Sequence, residues 1–138
     1  MTPTVAQLLQ GVIVGLSTPL PPEAGGAYAA SRMGMLAGLT NLAIQENERG
    51  VSVRVWENRA IAEVLAGAAG RYPEAAGVSD EDPGELTVSA LDARNADLRR
   101  RLIAVHTAAE QARDSELDHT ILRLYREMAK ARRLTLGG

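Results

Sequence analysis

The chain has no cysteine and no phenylalanine, one lysine (Lys130) and one tryptophan (Trp56). Without cysteine there can be no disulfide, thiolate nucleophile or zinc site of the finger type. With only Trp56, Tyr28, Tyr72 and Tyr125 as aromatic side chains, a stacking platform for single-stranded nucleic acid is not expected either. An excess of one charge is also missing. The 15 basic and 17 acidic residues are interleaved and leave a net charge of −2, so no overall field draws the chain to nucleic acid or to an anionic membrane. Apolar runs fall short of the ~20 residues that a bilayer span needs. The opening MTPTVAQLLQ lacks the basic leader of a secretory signal, and a cytoplasmic protein is expected. Glycines do not supply a nucleotide loop: Gly25-Gly26, Gly34 and Gly38 neither follow a strand nor precede a Lys-Ser/Thr pair.

What the sequence does contain is helical periodicity. Val88, Leu91, Asn95, Leu98, Leu102, Val105, Ala109 and Ala112 follow one another at alternating spacings of three and four. Such a heptad seam lies on one narrow helical stripe and requires cover. Asp82 as cap, Pro83 and Glu85 place the start of this helix at 83 and its end at 113. Leu117, Ile121, Leu124, Met128 and Ala131 resume the seam. A break at Asp114-Ser115, with Ser115 and Asp118 as a capping box, gives a last helix over 115–133 folded back as a hairpin, while one bent helix reaching Arg133 is the alternative.

Upstream, Tyr28, Met35, Leu36, Leu39, Leu42, Ala43 and Ile44 predict a helix over 28–48 that Gly50 would close. Val51 to Trp56 alternates as a strand might, but no partner strand exists in the sequence. Val53, Trp56, Ala60, Ile61, Val64, Leu65 and Ala68 continue at helical spacing, so a helix capped by Ser52 is expected over 52–69. A short amphipathic helix carries Val5, Leu8, Leu9, Val12, Ile13 and Leu16, weakened by Gly11 and Gly15, and Pro19, Pro21 and Pro22 make the segment after it a linker. Ala30, Gly34 and Gly38 form a small-residue face open to close approach by another helix. The acidic stretch 71–82 reads as a solvated, mobile loop. The expected architecture is a single all-α domain, 1–138, made of a bundle of four main helices, with 1–22 as N-terminal arm and linker.

Few residues suggest chemistry. Glu116 and His119 share a helix face at the spacing used in carboxylate di-metal centres, but such a centre needs a second pair, and Ile103 stands three residues before the other histidine, His106. No metal or cofactor is expected. His106 beside the seam lacks a marked nucleophile or an orienting acid on its own helix, so it reads as a partly buried flanking side chain. Arg99, Arg100 and Arg101 splay by about 100° per residue, and two of them flank the seam, where arginines pair with acids on a neighbouring helix. Arg123, Arg126, Lys130 and Arg133 form a basic stripe suited to a helix C-terminus and to the acidic 74–85 segment.

The expected function is a non-enzymatic helical interaction protein, homodimeric through Val88, Leu91, Asn95, Leu98, Leu102 and Val105, with Asn95 fixing the register. The alternative is an apolar small molecule held or transformed in a pocket near Met33, Met35 and Trp56. Nucleic-acid binding is not expected.

Overall fold

The structure, a computed structural model, describes residues 2–78 and 84–136. It is all-α: α1 Val5–Ser17, α2 Gly26–Ala68, a 3-10 turn Pro73–Ala75, α3 Val88–Ala112 and α4 Ser115–Ala131, with no strand among the described residues. Two compact units result. One holds the described residues up to Gly50 together with 134–136, and the other holds those of Val51–Arg133.

In the second unit the seam of α3 lies inside the chain's own core. Leu98, Leu102, Val105 and Ala109 pack in one buried cluster with Ile61, Ala62, Leu65 and Ala68 of α2 and with Leu117, Ile121, Leu124 and Met128 of α4. These are the apolar positions that repeat every three or four residues, so each helix turns its stripe inward. Ala75 and the half-buried Tyr72 and Val78 close the cluster from the 3-10 turn. Part of the stretch expected to be a solvated loop is therefore packed; the expectation for 79–82 falls outside the described residues.

The hairpin between α3 and α4 turns at Arg113, which takes the left-handed conformation (φ 55°), with the Asp114 N–H bonded back to the Ala109 carbonyl at 2.9 Å. Asp114 then caps α4 by accepting the Leu117 N–H at 3.2 Å. The break falls where the sequence places it, with Asp114 rather than Ser115 as the cap.

Two expected boundaries are corrected. The helices expected over 28–48 and 52–69 are one, because α2 runs unbroken through Gly50. Leu36, Ala43, Glu46, Gly50, Arg54, Glu57, Ile61, Leu65 and Ala68 are buried, and their spacing never leaves the helical period. Glycine in a helix costs only about 1 kcal/mol relative to alanine, an amount that packing on both sides of Gly50 outweighs. The second correction concerns α3, which starts at Val88 rather than 83. Gly84 adopts φ 63° and Gly84–Thr87 is not helical, while the Thr87 hydroxyl caps the helix by accepting the Ala90 N–H at 3.3 Å. Asp82 and Pro83, expected to open that helix, lie outside the described residues.

In the first unit α1 folds back on the first half of α2. Thr4 and Gln7 form a reciprocal capping box, and the Arg32 guanidinium donates to the carbonyls of Gly15 and Thr18 that close α1. Gly11 and Gly15 permit this approach. A Cβ at Gly11 would touch Leu39, and one at Gly15 would collide with the buried Leu36. The helix-weakening glycines of α1 are thus the close contact, whereas among the described residues no helix approaches Gly34 or Gly38 of the small-residue face. Nothing lies within 4 Å of a Cβ at Gly34, and Gly38 meets only Leu136. Gln45 fastens this C-terminal segment by donating to the Thr135 carbonyl at 2.8 Å and accepting the Thr135 N–H at 3.1 Å.

Candidate functional site

The first unit carries an apolar surface that its own fold leaves uncovered. No charged residue precedes Glu23, and Glu23 and Arg32 are the only ones before Glu46. The inner face of α1 presents Leu8, Gly11, Val12 and Gly15. Its outer face presents Leu9, Ile13 and Leu16, at spacings of four and three, and Ile13 and Leu16 are 55% and 66% exposed. A helix apolar on both faces is one whose second face normally meets another surface. Two open grooves lie in the same unit, and only the first is lined by residues of α1. That groove, of about 400 Å³, is lined by Val14, Tyr28, Arg32 and Met35 among others; the second, of about 610 Å³, is lined by Gly34, Met35, Gly38, Leu42 and Leu136 among others.

The residues expected to form an interface are placed differently. Leu91, Asn95, Leu98, Leu102 and Val105 are buried within the chain, and Val88 is half-buried at the start of α3. Asn95 finds its partners intramolecularly. Its amide donates to Glu57 Oε1 and to Asn58 Oδ1, both at 2.8 Å, and its oxygen accepts Arg132 Nη2 at 3.4 Å. Glu57, with no exposed surface, also accepts Arg99 at 2.8 Å and Arg132 at 2.6 Å. Burial alone would push the Glu57 carboxyl up, but hydrogen bonds from Arg132, Asn95 and Arg99 and the Arg132 charge outweigh it and hold the group below its ordinary value. Asn58 donates onward to the Leu91 carbonyl at 3.1 Å, and Arg54 pairs with Asp92 at 2.7 Å. This polar layer joins α2, α3 and the end of α4 inside the second unit.

The three residues expected around an apolar pocket fall in both units. Met33, Met35 and Trp56 are 60%, 56% and 40% exposed; Met35 borders both grooves, Met33 neither, and Trp56 belongs to the other unit.

The arginine run splays as its spacing implies, but only one of its members pairs with an acid on a neighbouring helix. Arg99 reaches Glu57 on α2, and Arg100 and Arg101 pair with Asp97 on their own helix at 3.0 and 3.2 Å. Of the basic stripe, Lys130 pairs with Glu127 on its own helix at 2.8 Å, and Arg123 and Arg126 are exposed.

His106 gains the partner that its own helix could not provide. Its Nε2 lies 2.8 Å from Asp118 Oδ1 at the start of α4, and its ring stands edge-on to Tyr125 at 5.6 Å between centroids. One ligand atom each from His106, Glu110 and Asp118 lie within 4.8 Å of one another. Sequence reasoning missed this group because Asp118 is twelve positions away and meets His106 only through the hairpin; Glu110, four residues after His106, was the available signal. Glu116 and His119, the pair the sequence does single out, do not join it. His119 Nδ1 is 2.6 Å from the Ser115 carbonyl.

Among the described residues, no helix is long and apolar enough to cross a membrane. No protein-family model, curated protein or solved structure matches the chain.

Proposed function

We propose that this chain is a non-enzymatic helical interaction protein that forms a homodimer through the outer face of α1. The observation that supports this reading is the exposed stripe Leu9, Ile13 and Leu16 on a helix without a single charge. A second copy is the occupant that fits such a face. An uncharged surface offers no electrostatic complement by which a different partner would be selected, apolar interfaces typify permanent homodimers, and a twofold axis is the commonest way to close one. Its composition, free of cysteine, suits the reducing cytoplasm.

Light scattering on the purified chain at micromolar concentration tests the proposal. The expected result is a dimer for the native sequence and a helical monomer for Ile13→Glu/Leu16→Glu. A native monomer, or a dimer indifferent to the two charges, would overturn it.

The grooves that meet at Met35 support a second reading, in which the first unit holds an apolar small molecule. That reading expects stoichiometric uptake of a medium-chain fatty acid that Met35→Glu abolishes without altering the oligomeric state.

A further inference from the structure

We infer that His106, Glu110 and Asp118 form a mononuclear site for a divalent transition-metal ion of the Zn²⁺ class, clamping α3 to α4. The geometry carries the argument. His106 and Glu110 are four residues apart on α3, so both side chains leave one face of the helix within a turn of each other. Asp118 is delivered to the same point from the first turn of α4 by the tight turn at Arg113.

Two ligands at the ~2.0–2.2 Å bond lengths of tetrahedral zinc lie roughly 3.3 Å apart. His106 Nε2 and Asp118 Oδ1 are 2.8 Å apart, and the widest separation in the group is within 4.8 Å. Glu110 is exposed, so its side chain is free to adjust toward a shared ion.

The charge environment points the same way. In this unit Glu57, Asp92, Asp97, Asp114 and Glu127 are each paired with an arginine or a lysine, while among the described residues the exposed Glu63, Glu74 and Glu116 are not. Among the described residues Glu110 has no ion pair, and Asp118 has only the His106 ring. Two carboxylates gathered around one imidazole leave a net negative focus that a dication neutralises.

The donor set selects the ion. One imidazole nitrogen with carboxylate oxygens suits Zn²⁺ and its neighbours, whereas Mg²⁺ and Ca²⁺ prefer oxygen alone. Three protein ligands leave the fourth position to water. The site is in the opposite unit from the proposed dimer face, so the two inferences stand or fall separately.

The test is calorimetric titration of the chelator-treated full chain with Zn²⁺. One ion per chain is expected. His106→Gln, Asp118→Asn and Glu110→Gln should each weaken binding at least roughly tenfold, the loss that even an outer-shell partner of a ligand commonly produces. Glu116→Gln and His119→Gln should leave the isotherm unchanged. Far-ultraviolet circular dichroism establishes that each variant is folded, and the exposed Glu110 gives a variant whose folding is not in question. Absence of saturable binding, indifference to Glu110→Gln and Asp118→Asn, or loss of binding in His119→Gln would overturn the assignment.

Discussion

Glu57 has no exposed surface, yet three donors converge on it from α3 and the end of α4. A buried carboxylate with matched partners adds little net stability, but removing it strands the charges that faced it. Glu57→Ala is expected to cost about 3–5 kcal/mol in urea unfolding, the range for breaking a buried pair from one side. Acid should act at the same place. Because the folded Glu57 carboxyl is held below its ordinary 4.5, its contribution is complete above that value. It is lost as pH falls below 4.5 through the folded value, so the urea midpoint of the native chain should drop in that range and that of Glu57→Gln should drop less. Asn95→Leu is expected to lower stability by about 1–3 kcal/mol, since Glu57 and Asn58 each lose a buried donor. From the sequence, a polar residue on the seam signals a specific partner, and Asn95 has one. Which partner was not legible, because Glu57 and Asn58 look like ordinary polar positions of α2 until the helices are packed.

At the scale of elements, the period of apolar residues identifies every helix, and the ends are what it leaves open. Gly50 reads as a stop by local propensity, but the buried stripe of α2 passes through it in register. Gly50 instead falls where the two units divide. At the α3–α4 hairpin the cap is Asp114, held below its usual range by the Leu117 N–H, the Tyr72 hydroxyl and Arg71. Asp114→Ala should therefore lower the thermal midpoint clearly. Ser115→Ala should barely move it, since the Ser115 hydroxyl makes no hydrogen bond among the described residues. Thr87→Ala, which removes the hydroxyl that caps α3, is expected to cost about 1 kcal/mol by thermal or urea unfolding. Equal effects of Asp114→Ala and Ser115→Ala would mean that the cap is misassigned.

Taken as a molecule, the chain joins two units of opposite character. In one, the seams of α3 and α4 are covered from within and the buried Glu57, Asn58 and Asn95 have hydrogen-bond partners. In the other, α1 is apolar on both faces and only its glycine face is covered. The all-α class was legible because it rests on the spacing of residues within single helices, whereas the α3–α4 hairpin stood beside one bent helix as an alternative until the turn at Arg113 was seen. The destination of each apolar stripe was not legible, because spacing reports that a face is buried without saying by what. The seam of α3 suggested an interface and became core, and the short N-terminal helix, read as an arm, carries the face now proposed to meet a second copy. A chain without cysteine makes that proposal directly measurable. Under mild oxidation Leu16→Cys is expected to yield a disulfide-linked dimer at high efficiency, since equivalent residues near a twofold axis approach one another. Ile103→Cys, exposed on α3, is expected to stay monomeric on a non-reducing gel. Efficient cross-linking at Ile103 with none at Leu16 would contradict the placement of the interface on α1.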